Sequence, residues 1–177
     1  GEFEEAYDAF NQLAGLLDAA ERHGVTGGDL YANIFGKAIL GGIVTIENVF
    51  SAYVQGNFTL TETGSLDAFT ILLSSGRNIA IDGRMDTNGG VGRVFMNAQG
   101  SIYMKSMDPI TAGELFAASV TGIFLRTDVD TLTAQTTGIG LGSDLNLGNY
   151  TGSAEIEIQE VDEVRLNTVY NANGPIR

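Results

Sequence analysis

The rhythm of apolar and polar positions along this chain changes once, near residue 24. Before that point Phe3, Tyr7, Phe10, Ala14 and Leu17 recur at spacings of three and four, joined by Ala6, Leu13 and Ala20. Such spacing lays one apolar stripe along a helix. Glu2, Glu4, Glu5 and Asp8 fall in the first turns, Arg22 and His23 in the last, and Gly24 follows. That order suits the helix macrodipole and a glycine C-cap. The pattern therefore predicts an amphipathic helix from about Phe3 to His23, filling residues 1–24. His23, the only histidine, reads as a solvated residue at its C-terminal end.

From Val25 onward the helical period disappears. Short alternating stretches rich in Ile, Val, Thr, Phe and Leu follow one another, separated by Gly, Asn, Asp and Ser, and these read as strands. They also repeat. The apolar-x-apolar pairs Phe58/Leu60, Ile79/Ile81, Ile102/Met104, Ile123/Leu125, Leu145/Leu147 and Val164/Leu166 step along the chain by 21, 23, 21, 22 and 19 residues. A weaker series lies between them at Ile71/Leu73, Val94/Met96, Leu115/Ala117, Leu132/Ala134 and Ile156/Ile158. Each repeat of about 21 residues thus holds at least two strands.

A constant side-chain pair held at one offset over six rows is what a coil of stacked parallel strands requires. An antiparallel sandwich has no reason to keep it, and the Leu-x-x-Leu-x-Leu signature of a leucine-rich horseshoe is absent. The predicted fold is all-β: a parallel β-solenoid over residues 25–177, about 21 residues per rung, with the helix of residues 1–24 covering its open first rung. At the far end Asn171-Ala172-Asn173-Gly174-Pro175 forms a turn cluster with no second cap. That predicts a solenoid extending beyond this chain and, as an alternative, end-to-end self-association through an uncovered rung.

Composition narrows the function classes. Among 177 residues there are 24 Gly but only 2 Pro, so the glycines mark tight turns. Nine basic against 22 acidic side chains leave a formal charge of −13, which repels a phosphate backbone and argues against nucleic acid as a partner. With no Cys and one His, the chain has neither disulfides nor a multi-histidine or cysteine metal site. The uncharged run from Ala38 to Ile46 is far short of the roughly 20 residues a membrane helix needs, so no membrane insertion is expected.

The phrases Gly76-Arg77-Asn78-Ile79-Ala80-Ile81-Asp82-Gly83, Met85-Asp86-Thr87-Asn88-Gly89-Gly90 and Gly100-Ser101-Ile102-Tyr103-Met104 carry a resemblance. With Phe124 to Ala134, they are similar to the Gly-rich repeats of large bacterial secreted exoproteins of the filamentous-haemagglutinin type. The likeness spans about Gly56 to Thr168. It implies a right-handed parallel β-helix, export to the cell surface, and service as an adhesin or stalk.

Three kinds of chemistry can be weighed. Glycan-cleaving β-helices of the pectate-lyase-like type need converging carboxylates, for which Asp82, Asp86, Asp108, Asp128 and Asp130 are the candidates. Asp128 and Asp130 share a strand face, and Asp82 and Asp86 flank Gly83-Arg84-Met85; Asp at such positions is otherwise ordinary turn chemistry. Calcium-binding nonapeptides and nucleotide loops fit poorly: Gly89-Gly90-Val91-Gly92 runs into Arg93, and Gly138 to Asp144 occurs once. No catalytic residue, metal or cofactor is expected. The third feature is outward-facing: Tyr103 and Phe124 on successive rungs, with Lys105 and Arg126 beside them on an acidic chain. Rings stack on sugars and cations meet carboxylate or sulfate, so these four residues are the candidate binding patch for a glycan or host-surface ligand. The expectation is a non-enzymatic structural or adhesive segment of a secreted or cell-surface bacterial protein. A glycan-cleaving enzyme and a self-assembling surface-layer or filament subunit are the alternatives.

Overall fold

The computed structural model describes residues 25–137, 155–172 and 174–177. They form thirteen strands, all paired in parallel, in a β-solenoid of about five turns with roughly 21 residues per turn. The helix expected over residues 1–24 lies outside the described residues, as do Leu145 and Leu147.

Each full turn has three faces. The first carries β2 (Ala38–Leu40), β4 (Phe58–Leu60), β6 (Ile79–Ile81), β9 (Ser101–Met104), the start of β11 (Gly122–Thr136) and β12 (Glu155–Glu160). Its register stacks Ala38, Phe58, Ile79, Ile102, Ile123 and Ile156 in one column. The second face carries the N-terminal parts of β1 (Val25–Ile34), β3 (Ile43–Val54), β5 (Ser65–Ser75) and β10 (Ile110–Ser119), with β7 (Arg84–Asp86) and the middle of β11. The C-terminal parts of the same long strands, together with β8 (Arg93–Ala98) and β13 (Arg165–Asn171), make the third, where Phe50, Ile71, Val94, Leu115 and Leu132 stack.

The two series seen in the sequence are the cores of the first and third faces. Period two along each strand turns one set inward, where Ile71, Ile79, Val94, Ile102, Leu115 and Ile123 are fully buried. Each such side chain contributes about 1.5–3 kcal/mol on burial. The second face shows no such repeat in the sequence because its core is mixed: Val44, Leu66, Met85 and Ile110 stand beside Ala68, Ala112, Thr87 and Thr127. The first-face column also begins one turn earlier than expected, at Ala38 and Leu40.

Two rows of the expected alignment are corrected. Ile156 and Ile158 belong to the first face, opposite Ile123 and Leu125, whereas Leu166 pairs with Leu132 on the third face and is 62% exposed. Successive first-face residues lie 20, 21, 23 and 21 positions apart up to Ile123, and then 33 separate Ile123 from Ile156. A fixed period carried across that longer step lands on the wrong face. One period beyond Ile156, Ile176 pairs with it in parallel, and the Ile156 and Ile158 N–H groups donate to Pro175 and Arg177 carbonyls.

Corners are closed by glycines and by buried polar side chains. Gly56 N–H donates to Gly36 O at 2.7 Å, an approach that leaves no room for a side chain. Asn78 N–H donates to Asn57 Oδ1 at 3.2 Å and Ser101 N–H to Asn78 Oδ1 at 2.8 Å, so one amide column bridges three rungs. Ser75 and Ser119 Oγ donate to the Gly56 and Gly122 carbonyls, satisfying groups that would otherwise be buried unpaired.

Candidate functional site

The four residues of the expected patch come together on the first face. Tyr103 pairs with Phe124 across β9 and β11, and Phe124 in turn pairs with Glu157 of β12. Lys105 leaves β9 at the corner and Arg126 lies two residues past Phe124, opposite Gln159. Both rings and Arg126 are half-buried and Lys105 is exposed. Lys105 Nζ sits 6.0 Å from the centroid of the Tyr103 ring, at the outer reach of a cation–π contact. Lys105, Phe124 and Arg126, but not Tyr103, line a depression of about 250 Å³ together with Met104, Ser106, Met107, Leu125, Glu157 and Gln159. Neither Lys105 nor Arg126 forms an ion pair among the described residues.

Glu157, Gln159 and Met107 were not foreseen. The first two sit beyond the 33-residue step, whereas the expected sixth row, Val164/Leu166, is flanked by Arg165 and Asn167. Those residues are on the third face, where Arg165 pairs with Thr131 and the Asn167 amide donates to Thr133 Oγ1. Met107, 76% exposed, belongs to the corner segment before β10 and carries no periodic signal.

The five expected carboxylates, Asp82, Asp86, Asp108, Asp128 and Asp130, are spread over several corners and strands. Met85 is a fully buried core residue of β7, so Gly83-Arg84-Met85 is a corner leading into a strand and not a free turn. Asp86 is tied to Arg84 at 2.6 Å and accepts the Gly89 N–H, anchoring the left-handed stretch Asn88, Gly89, Gly90. Asp82 lies in the preceding corner with Oδ1 buried and without a hydrogen-bond partner among the described residues. Asp108 is exposed near Ser106, and Asp130 is exposed on β11. Asp128 does gain neighbours, since its carboxylate and those of Glu160 and Asp162 lie within 4.8 Å of one another. Glu160 is already engaged: it accepts Thr127 Oγ1–H at 2.6 Å and the Val129 N–H at 3.1 Å. After β12 the chain turns directly to the third face, leaving the second-face stretch of β11 without a strand above it. The Glu160 carboxylate takes over part of that strand's pairing and covers the edge.

A third surface lies on the outside of the third face. One straight column there reads Tyr31, Ser51, Leu72, Phe95, Phe116, Thr133, and beside it runs Asn33, Tyr53, Ser74, Asn97, Ala118, Gln135. No position in either column is charged. Phe95 and Phe116 face each other with centroids 6.2 Å apart and planes tilted by 35°. They border a depression of about 220 Å³ lined also by Ser51, Tyr53, Leu72, Ser74 and Asn97. At the strip's margin Arg93 and Glu114 neutralise each other, Nε to Oε2 3.2 Å.

No family model matches the chain, and no curated protein or solved structure is significantly similar to it. Among the described residues no helix is long and apolar enough to cross a membrane.

Proposed function

We propose that the chain is a non-enzymatic structural and adhesive segment of a larger secreted or surface-anchored bacterial protein, a right-handed solenoid that meets anionic glycans at Lys105 and Arg126. The observation that carries this reading is the depression beside Phe124, where two cations outnumber the single carboxylate of Glu157 on a chain of net charge −13. The net charge repels an anionic polymer from most of the surface, so attraction is focused where cations outnumber carboxylates, as at this corner. A sugar's carboxylate or sulfate meets the Arg126 guanidinium and the Lys105 ammonium, while the apolar lining from Met104 and Leu125 lies against its ring. One such contact is weak; repetition along a long exported protein would make it adhesive.

Retention on immobilised heparin and on polygalacturonate tests this. The parent should be retained at low salt and released as salt rises, and a Lys105→Ala/Arg126→Ala variant that melts like the parent should lose retention. Equal retention of that variant, or shortening of the polysaccharide by the parent, overturns the proposal.

The same reading includes a cap. At the first-rung end of the solenoid Leu30, Ile34, Leu40, Phe50 and Phe58 line a small apolar cavity, and in the sequence the apolar stripe of residues 1–24 directly precedes this rung. An uncovered core end costs the hydrophobic stabilisation of every residue around it. With the stripe seated there, Phe3→Asp/Phe10→Asp should lower the melting temperature and increase binding of an apolar dye. A double variant indistinguishable from the parent in both would remove the cap.

A further inference from the structure

We infer that the uncharged strip on the third face is a second ligand surface, one that takes an extended, uncharged β-linked polysaccharide lying along the stacking axis. The patch at Lys105 and Arg126 selects for negative charge; this strip has no charge to offer. Eleven outward positions in two adjacent columns, and the buried Thr133 that ends one of them, are all neutral on a chain with 31 charged side chains. Neutrality there separates the surface from the acidic second face, where Asp67, Asp86 and Asp128 share one column.

The chemistry of the strip is that of sugar recognition. Rings in one column present apolar faces, and hydroxyls and amides in the next, from Ser74 and Asn97, supply the donors and acceptors that ring hydroxyls need. The rings are also spaced for a polymer. Parallel rungs repeat every 4.8 Å or so, close to the rise per ring of a fully extended β-linked chain, so successive sugars meet Leu72, Phe95 and Phe116 in step. The 220 Å³ depression between them is on the scale of one sugar ring. A second copy of the chain would also cover an apolar strip, but it would bring two bodies of charge −13 together, whereas a neutral glycan meets no such repulsion.

The test uses the full chain and insoluble cellulose and chitin as probes, with sedimentation velocity run in parallel. The parent should bind one or both polymers to the same extent at low and high salt, as a neutral interaction requires. Phe95→Ala/Phe116→Ala should weaken that binding about tenfold or more, the loss of roughly 1.4 kcal/mol. Ser74→Arg, which fills the depression from its rim and leaves both rings in place, should do the same if the ring variant does not fold. Lys105→Ala/Arg126→Ala should bind these polymers as the parent does, which separates this surface from the anionic one. Failure to bind either polymer, binding unchanged in both strip variants, or a concentration-dependent dimer abolished by them would overturn the inference. The dimer would assign the strip to a second copy.

Discussion

Ile102→Asp should abolish cooperative unfolding of the chain. Ile102 is fully buried between Ile79 and Ile123 in the first-face column, with no polar partner on either side. The substitution removes about 1.5–3 kcal/mol of apolar burial and adds an unpaired carboxyl group in a site that cannot hydrogen-bond it. Together these exceed about 4–5 kcal/mol, comparable to the whole stability of an ordinary domain. One residue along, Tyr103 faces outward, and Tyr103→Asp should cost only about 1 kcal/mol. Thermal melts of the two variants check the register directly, because a slip of one residue would exchange their effects. A cooperative, unshifted melt for Ile102→Asp would mean that the column is not stacked.

The second large effect is expected from the smallest change. In Gly56→Ala the new methyl would lie 2.7 Å from Gly36 O and 3.0 Å from Gly36 C. Both are backbone atoms of the rung below, and the Gly56 N–H is bonded to the same carbonyl, so relief requires moving two rungs apart. Overpacking of this kind costs about 1–3 kcal/mol or more, and in a chain of this size each kcal/mol is worth roughly 2–4 °C in melting temperature. Gly27→Ala supplies the contrast, since nothing lies within 4 Å of the position its methyl would take. Calorimetry should find Gly27→Ala unchanged or slightly more stable and Gly56→Ala several degrees lower. Equal melting temperatures would mean that the corner is looser than its hydrogen bonds imply.

What could be read from the sequence divides along physical lines. Ile79/Ile81 and Ile71/Leu73 were legible because a parallel stack keeps aliphatic pairs at a near-constant interval, and a period is visible without any knowledge of the third dimension. Tyr103 beside Phe124 followed from the same interval. The second face was illegible for the converse reason: Met85, Ala112 and Thr127 fill equivalent places with unlike side chains, because hydrogen bonds of Thr87 and Thr127 do there what apolar packing does elsewhere. Leu166 was misplaced because a period cannot report where it is interrupted. Glu157 and Glu160 were missed for the same reason, and with them the carboxylate beside Phe124 and the cover of the β11 edge. The neutral strip was hidden by its variety, since Tyr, Ser, Leu and Phe in one column share only the absence of charge.

The long step between Ile123 and Ile156 has a bearing on how such a chain can grow in complexity. Each doubling of a flexible connection costs only about 0.6 kcal/mol more in chain entropy, because the penalty rises with the logarithm of length. The first and third faces on either side, by contrast, are held by parallel pairing, β11 on β9 and β10, and β12 and β13 on β11. Added length in a flexible connection is therefore cheap, while a single extra residue inside a strand would reverse the inward and outward sets from that point to the rung's end. Ile156 keeps its place opposite Ile123 although the interval is 33 residues and not 21, so residues added between Thr137 and Glu155 should leave the pairing of β11 with β12 in place.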